Sequence, residues 1–212
     1  MKRTPFVLER VNLVRQFRLA SKKTATKENA SRASLFAEDR QPVTRFLAIP
    51  KTSSEKRLWI PIAFLPSETI IASELFSIQG ATLYDFGILS STMHNAWVRY
   101  TCGRLKSDFR YSAGIVYNNY PWPQDLTDNQ REAVSIAAQA VLDARAVHQK
   151  GEAPASLADL YNPTTMPANL STAHKALDKA VDAAYGKKGL KTDAERVAYL
   201  FALYDQYTSL LA

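Results

Sequence analysis

The chain has 212 residues, of which 46% are hydrophobic, 22% charged and 10% aromatic. This length and composition can provide a core for one large domain or two small ones. No run approaches the roughly 18 uninterrupted apolar residues of a membrane span, and the basic start Met1–Pro5 is not followed by the apolar stretch of a signal peptide. The lone Cys102 cannot form an internal disulfide. These features predict a folded intracellular protein and exclude membrane and disulfide-stabilised classes.

Charge is distributed unevenly along the chain. The formal net charge is +7, but residues up to Pro123 carry 18 basic and 9 acidic side chains, whereas those from Gln124 onward carry 9 basic and 11 acidic ones. This asymmetry favours a polyanion-binding surface in the first part of the chain. The alternative is that the basic excess only aids solubility, since net charge alone does not determine a partner.

The first 42 residues predict a short basic helix followed by a loop. Apolar residues within 6–20 recur at helical spacing, with Arg10, Arg15 and Arg18 between them. Residues 21–34 (SKKTATKENASRAS) are polar and basic, so they are interpreted as a loop, either solvated or in contact with phosphates.

Three strands are predicted between residues 44 and 78, where apolar and aromatic runs are bounded by Pro, Ser and charge clusters. They are 44–50 (TRFLAIP), 57–64 (RLWIPIAF) and 69–78 (TIIASELFSI). A hairpin-like loop from Lys51 to Arg57 is expected between the first two strands. Pro61 has no N–H to donate, which indicates an edge strand or a bulge.

Ser90, Ser91 and Thr92 are expected to start a helix, because hydroxyl side chains cap helix N-termini. They follow an apolar segment that is predicted to end in a turn at 87–89 (GIL). Apolar residues then keep helical spacing as far as Gly103, which is expected to stop the helix. Residues 104–123 are predicted to be mostly irregular, with a possible strand at 113–117.

Three amphipathic helices are predicted after Pro123. Two of them begin at the capping boxes 127–130 (TDNQ) and 192–195 (TDAE), and the helix between them runs from Pro167 to Gly186. The fold class is therefore predicted to be α+β, with a mixed, β-rich basic domain at 1–123 followed by a small C-terminal helical bundle at 124–212.

Motifs for catalysis and cofactor binding are not found in the sequence. No G-x-G turn, P-loop or Asn-Pro-Pro-Tyr tetrapeptide is present. The three histidines, His94, His148 and His174, lie far apart in the sequence, and no second cysteine accompanies Cys102, so no zinc site is expected. The chain alone is predicted to carry no catalytic residue, no cofactor and no metal.

A segment near the middle of the chain alternates basic and aromatic residues. It contains Arg99, Arg104, Lys106 and Arg110, interleaved with Trp97, Tyr100, Phe109 and Tyr111. Basic side chains neutralise phosphates, and arginine can also bind guanine edges. Core packing is favoured for the aromatic residues, whereas contact with DNA is favoured for the arginines. Asp108 is interpreted as an internal partner of a neighbouring arginine.

Several of these segments together carry a resemblance to a known family. They are 90–99 (SSTMHNAWVR), 102–112 (CGRLKSDFRYS) and 117–123 (YNNYPWP), with 35–38 (LFAE), 40–42 (RQP), 48–50 (AIP) and 60–62 (IPI) upstream. The set resembles the target-recognition domain of MmeI-like DNA methyltransferases, which are adenine-specific restriction–modification enzymes. The later segments 160–167 (LYNPTTMP), 176–182 (ALDKAVD) and Tyr185-Gly186 resemble the helical domain that closes the same proteins.

The resemblance implies sequence-specific binding of double-stranded DNA on behalf of an adenine-N6 methyltransferase. The family's recognition residues lie in loops between strands and at the start of the following helix, where the matching positions are Lys56, Arg57, Ser90, Ser91 and Thr92. Together with the basic segment, the predicted DNA-binding residues are Lys56, Arg57, Ser90, Ser91, Thr92, His94, Arg99, Arg104, Lys106, Ser107, Arg110 and Tyr111.

The family's methyltransferase and nuclease parts are expected to precede residue 1. The chain is therefore expected to be an excised fragment or a separate specificity subunit in the cytoplasm of a prokaryotic cell, and the methyltransferase core is its expected partner. S-adenosylmethionine is expected only for the parent enzyme. Two other readings stay open: a protein-interaction scaffold, and a nonspecific single-strand or RNA binder that stacks bases on Tyr and Trp.

Overall fold

The structure is a computed structural model that describes residues 4–209. Contacts between backbone positions divide the chain into two compact units, the first extending through Gln41 and the second beginning at Pro42.

The first unit is helical. Helix α1 spans Pro5–Leu19, helix α2 spans Thr24–Glu28, and a 3-10 helix follows over Asn29–Arg32. Arg18 donates to the carbonyl oxygens of Asn29, Arg32 and Leu35 at 2.7, 2.9 and 2.8 Å. The predicted basic helix is thus confirmed. The prediction of a loop at 21–34 is wrong, because a guanidinium on α1 satisfies the carbonyls at the end of this segment and supports its helical turns.

The second unit contains two small antiparallel sheets. The first sheet has the order β3-β1-β4, with β1 at Phe46–Pro50, β3 at Ala63–Leu65 and β4 at Leu75–Gln79. The second, named here the hairpin sheet, has the order β2-β6-β5, with β2 at Thr52–Ser53, β5 at Gly103–Leu105 and β6 at Asp108–Arg110. Strands β5 and β6 form a hairpin in which Leu105 pairs with Asp108 and Gly103 with Arg110.

The predicted strand at 57–64 is largely wrong. Trp59, Ile60 and Ile62 are buried, as a core strand requires, but the ladder begins only at Ala63. Side chains replace a neighbouring strand here, because Ile60 N–H donates to the Asn95 amide oxygen at 3.1 Å and Arg145 donates to the Ile62 carbonyl at 2.7 Å. Pro61 lies between these two bonds and could not have donated to a ladder.

The hairpin-like loop expected from Lys51 to Arg57 is also wrong, because the connection is longer and contains a strand. Strands β1 and β3 pair with each other, but the chain between them contributes β2 to the hairpin sheet, where Thr52 pairs with Arg110. The strand predicted at 69–78 is reduced to Leu75–Gln79. β3 is an edge strand, as Pro61 indicated.

Among residues 4–209, seven helical segments follow β4, two of them before the hairpin and five after it. They are α3 (Leu83–Leu89), α4 (Thr92–Thr101), a π-helical turn (Ala113–Tyr117), α5 (Asp128–His148), α6 (Leu157–Leu160), α7 (Ala168–Ala184) and α8 (Asp193–Ser209). The capping boxes at Thr127 and Thr192 are confirmed by reciprocal bonds with Gln130 and Glu195. The expected strand at 113–117 is wrong, since the Ser112 hydroxyl caps a helical turn there.

Gly87 lies inside α3 and not in a turn. A β-carbon at this position would lie 2.7 Å from Val134 Cγ1 and 3.2 Å from Ala138 Cβ, both on α5. Gly87 therefore lets α3 and α5 approach closely. In the sequence, a glycine that serves close packing looks the same as a glycine that forms a turn.

One hydrophobic core extends through the second unit. It includes Leu47 of β1, Trp97 of α4, Val134 of α5, Leu177 of α7 and Leu200 of α8. Helix α5 packs on α3 and α7, whereas α8 packs on α4. The predicted α+β class with a C-terminal helical region is confirmed, and the C-terminal helices also pack on α3 and α4. The division into domains at 1–123 and 124–212 stays a prediction.

Candidate nucleic-acid interface

The start of α4 is fixed by hydrogen bonds within the protein. The Ser91 hydroxyl caps the helix by accepting from His94 N–H at 3.3 Å, and it donates to the Ile88 carbonyl at 2.7 Å. Thr92 N–H donates to Asp178 Oδ1 and the Thr92 hydroxyl to Asp178 Oδ2, both at 2.6 Å. The anion at this helix N-terminus is thus a carboxylate of the protein itself.

His94 and Tyr111 belong to the interior. The His94 ring contacts the Leu89 carbonyl through Nδ1 at 2.8 Å and the Tyr111 hydroxyl through Nε2 at 3.1 Å. Burial lowers the pKa of His94 to about 4, although the hydrogen bond to the Leu89 carbonyl partly opposes this shift. The ring is therefore neutral at neutral pH and offers no positive charge to a phosphate.

Five of the twelve predicted DNA-binding residues are accordingly held inside the fold. Ser90, Ser91 and His94 have no exposed surface, Tyr111 is 4% exposed, and Thr92 is partly buried under Asp178. This burial is at odds with the predicted contact to DNA. The physical reason is that α4 is a core helix, and the hydroxyl groups of Ser91 and Thr92 at its start are bonded to groups of the protein.

Arg99 and Arg104 form an internal network near the surface. Arg99 pairs with Asp193 of α8 at 2.5 Å and donates to the carbonyl oxygen of Leu58 at 2.8 Å. Arg104 donates to the carbonyl oxygens of Ser107 and Arg99 at 3.0 and 3.3 Å, and its guanidinium lies over the Phe109 ring. Both arginines therefore hold protein segments together, and Arg104 stays exposed enough to meet a ligand as well.

The outer face of the hairpin sheet follows from its register. Side chains alternate along a strand, so Leu105, Asp108 and Arg110 share one face, whereas Arg104 and the buried Phe109 share the other. The guanidinium of Arg110 and the carboxylate of Asp108 have no hydrogen-bond or ion-pair partner among residues 4–209. The expectation that Asp108 pairs with an arginine is therefore wrong, and its carboxylate is directed away from the core.

Two further cations lie in the hairpin turn and on the adjoining loop. Lys106 stands at the hairpin turn with φ of +57°, a conformation that suits Gly or Asn better than Lys. Lys56 is exposed on the loop 54–58, and Glu55 of the same loop lies 3.7 Å from Arg104, which places the loop next to the hairpin on the side of Arg104. We name the outer face of the hairpin together with this loop the basic face. It contains Lys56, Arg57, Leu105, Lys106, Ser107, Asp108 and Arg110.

Sequence reasoning thus found most of the basic face and overlooked Asp108 as an outward side chain. No local signal marks it, because β5 and β6 have only three residues each and the turn residue with positive φ is Lys106, not Gly or Asn. Among residues 4–209, no cluster of His, Cys, Asp or Glu could hold a metal ion. No helix in that range is long and apolar enough to cross a membrane.

The fold and the basic face define an α+β module in which a cationic hairpin is supported by a helical core. Two family models match this chain: "MmeI, target recognition domain" over residues 1–124 and "MmeI, C-terminal domain" over residues 126–212. The chain belongs to the MmeI family of target recognition domains and carries that family's C-terminal domain.

Two relatives cover nearly the whole chain. DNA methyltransferase A of Bacillus subtilis (strain 168) is 36% identical over 208 residues, which are 98% of this chain and 23% of the relative. The solved structure of the Type IIL restriction–modification enzyme MmeI in complex with DNA is 45% identical, with a TM-score of 0.90 over 98% of this chain and 27% of that one. The chain therefore spans about a quarter of the length of these relatives.

Proposed function

We propose that this chain is the module that recognises a specific sequence in double-stranded DNA for an adenine-N6 methyltransferase of a restriction–modification system. The observation that carries the proposal is the basic face: a hairpin whose outward side chains have no partners within the described protein, in a chain of the MmeI target recognition family. Base edges can be distinguished in the major groove by side chains that reach them, and the turn of the β5–β6 hairpin presents such side chains at one end of the hairpin sheet.

The chemistry of the basic face supports this function. Arg110 has the planar fork of donors that suits guanine O6 and N7, and Asp108 offers the acceptor that suits the cytosine amino group. Lys106 in the hairpin turn and Lys56 on the adjoining loop are exposed and can neutralise phosphates without reading sequence. Such a combination of point charges and outward polar side chains is typical of a surface that is both attracted to DNA and selective.

The relatives support a larger parent assembly for this module. A methyltransferase core, in the same polypeptide or in a separate subunit, would supply S-adenosylmethionine and the transfer reaction, and the assembly would work in the cytoplasm of a prokaryotic cell. The chain described here would contribute only the choice of sequence. This division of labour agrees with the methyltransferase relative, of which the chain matches 23%.

The test uses two variants of the basic face. Lys106→Gly removes a cation at a position where glycine is conformationally favoured, so the hairpin is not penalised. Arg110→Ala removes the outward guanidinium. We expect each variant to weaken duplex binding by roughly threefold to tenfold, and we expect Lys106→Gly to lower the slope of log K against log salt by about one. Fluorescence anisotropy with labelled duplexes at several salt concentrations measures both quantities.

Lys175→Ala is the matched control, because this exposed lysine lies on α7 and far along the chain from the hairpin. It should leave affinity and salt slope unchanged. Equal losses of duplex affinity in all three variants would contradict the proposal that the basic face binds DNA. Tighter binding to single strands than to duplexes would favour the nonspecific reading, and no binding to any nucleic acid would favour a protein-interaction scaffold.

A further inference from the structure

Arg99 lies in the last turn of α4 and connects three parts of the second unit. Its Nη1 pairs with Asp193 Oδ2 at 2.5 Å, and its Nη2 donates to the carbonyl oxygens of Leu58 at 2.8 Å and Arg57 at 3.4 Å. The side chains of Arg99 and Asp193 keep only 21% and 33% of their exposure. A partly buried pair of this kind is screened by salt less than a surface pair.

The loop 54–58 has few bonds of its own to fix its shape. Arg57 N–H donates to the Ser54 carbonyl at 3.2 Å, and Lys56 N–H donates to the Ser54 hydroxyl at 3.4 Å. Arg99 adds the two bonds that tie the far end of the loop to α4. The guanidinium of Arg99 therefore helps to fix the backbone of the loop at Arg57 and Leu58, next to Lys56.

The same residue also connects to the hairpin. The carbonyl oxygen of Arg99 accepts from Arg104 Nη2 at 3.3 Å, and Arg104 Nη1 reaches the Ser107 carbonyl in the hairpin turn at 3.0 Å. Arg99 thus contacts both components of the basic face, the loop through its side chain and the hairpin through its backbone. The Arg99 side chain is mostly buried and does not belong to the outer face of the hairpin.

We propose that Asp193, acting through Arg99, is a positioning residue for sequence readout, so that the C-terminal domain takes part in DNA recognition without touching DNA. The inference rests on the proposed function and adds a role for the C-terminal domain. Asp193 stands in the first turn of α8, where its charge would favour the helix dipole even when unpaired. It instead pairs with Arg99. The guanidinium of Arg99 then stays bonded to the carbonyl oxygens of Arg57 and Leu58.

Loss of the Asp193 carboxylate should change the preference among DNA sequences without lowering the overall affinity for DNA. Asp193→Asn leaves every cation of the basic face in place and removes one negative charge, so attraction to phosphates should stay equal or increase slightly. The loop, however, loses its fixed geometry, and contacts that depend on direction weaken. A purely structural role would give the opposite pattern, namely lower thermal stability with unchanged preference among sequences.

The experiment selects binding sites from a random duplex library with the 212-residue chain, and then compares the selected duplex with a scrambled one by anisotropy. For Asp193→Asn we expect the ratio of the two affinities to fall about tenfold, while affinity for the scrambled duplex stays within about twofold of wild type. Hydrogen–deuterium exchange should accelerate at the amides of 54–58. Arg99→Lys should behave like Asp193→Asn, because an ammonium cannot hold the ion pair and both carbonyls in one plane.

Glu195→Gln is the matched control. It removes a charge from the same helix turn, and the Glu195 carboxylate accepts from the backbone N–H groups of Lys191 and Thr192 and not from Arg99. Asp193→Glu keeps the carboxylate and should restore most of the selectivity. If Asp193→Asn and Arg99→Lys both retain the wild-type ratio, the inference is overturned while the proposed function stands. A wild-type chain that enriches no sequence overturns both.

Discussion

Asp178 joins segments that are far apart in the chain. Its two carboxylate oxygens accept from the backbone and hydroxyl of Thr92, and Oδ2 also accepts from the Trp59 indole N–H at 3.3 Å. Burial raises the pKa of the Asp178 carboxyl, while the bonds from Thr92 and Trp59 partly oppose that shift. One acidic side chain on α7 therefore fixes the start of α4 and the buried segment that follows the loop of the basic face.

This role makes Asp178 important for stability. We expect Asp178→Ala to lower the free energy of unfolding by about 2–4 kcal/mol, because three donors lose a charged acceptor in a partly buried site. Urea denaturation followed by tryptophan fluorescence measures the change. The neighbouring Lys179→Ala removes an exposed side chain from the same helix and should stay within about 0.5 kcal/mol of wild type. A loss no greater than that of the control would show that water replaces the carboxylate.

Local sequence signals predicted the start of α4 but not its contact with Asp178. The hydroxyl run at 90–92 predicted a helix start correctly, because a cap is decided by the residues next to it. Asp178 lies 86 residues from Thr92, and no periodicity or composition relates the two positions. The same limit explains why hydroxyl residues expected to face DNA are instead enclosed by a helix that is distant in sequence.

At the scale of elements, α3 and α5 are packed as closely as their side chains allow. A β-carbon on Gly87 would meet Val134 at 2.7 Å, Ala138 at 3.2 Å and Leu177 Cδ1 at 3.3 Å. All three neighbours are buried, and valine has little rotational freedom in a helix. Close contact between the two helices therefore requires glycine, even though glycine is the poorer helix former.

Gly87→Ala should destabilise the protein by about 1–3 kcal/mol, since overpacking outweighs the gain in helix propensity. Differential scanning calorimetry would record a lower Tm. Gly114→Ala provides a control, because no atom lies within 4 Å of its added β-carbon. Combining Gly87→Ala with Val134→Ala should recover part of the loss by opening space. An unchanged or raised Tm for Gly87→Ala alone would mean that α5 shifts at no cost.

Elements that depend on local patterns were predicted well, and elements that depend on distant partners were not. The helices starting at Thr127 and Thr192 carry their own caps and apolar faces, so their positions follow from the sequence. The segment 57–64 has the composition of a strand, yet Asn95 and Arg145 satisfy its backbone in place of a strand. β5 and β6 have three residues each, too few for a periodic signal.

At the scale of the whole molecule, one core serves both family regions. The buried faces of α3 and α4, which lie before residue 124, pack against α5, α7 and α8, which lie after it. Polar bonds cross the same boundary, since Arg145 donates to the Ile62 carbonyl at 2.7 Å and the Tyr185 hydroxyl to the Pro121 carbonyl at 3.0 Å. The basic face therefore rests on elements that the C-terminal region completes.

This shared core predicts the outcome of truncation. A chain of residues 1–123 would expose the apolar side chains of α3 and α4 that α5, α7 and α8 now cover, and it would leave the Ile62 carbonyl without its buried arginine donor. We expect it to show no cooperative thermal transition by near-ultraviolet circular dichroism, because the remaining sheets are too small to bury a core. Residues 42–212 retain the complete second unit and should unfold in one cooperative step. A sharp transition and dispersed amide signals for residues 1–123 alone would instead establish an independent domain ending near Pro123.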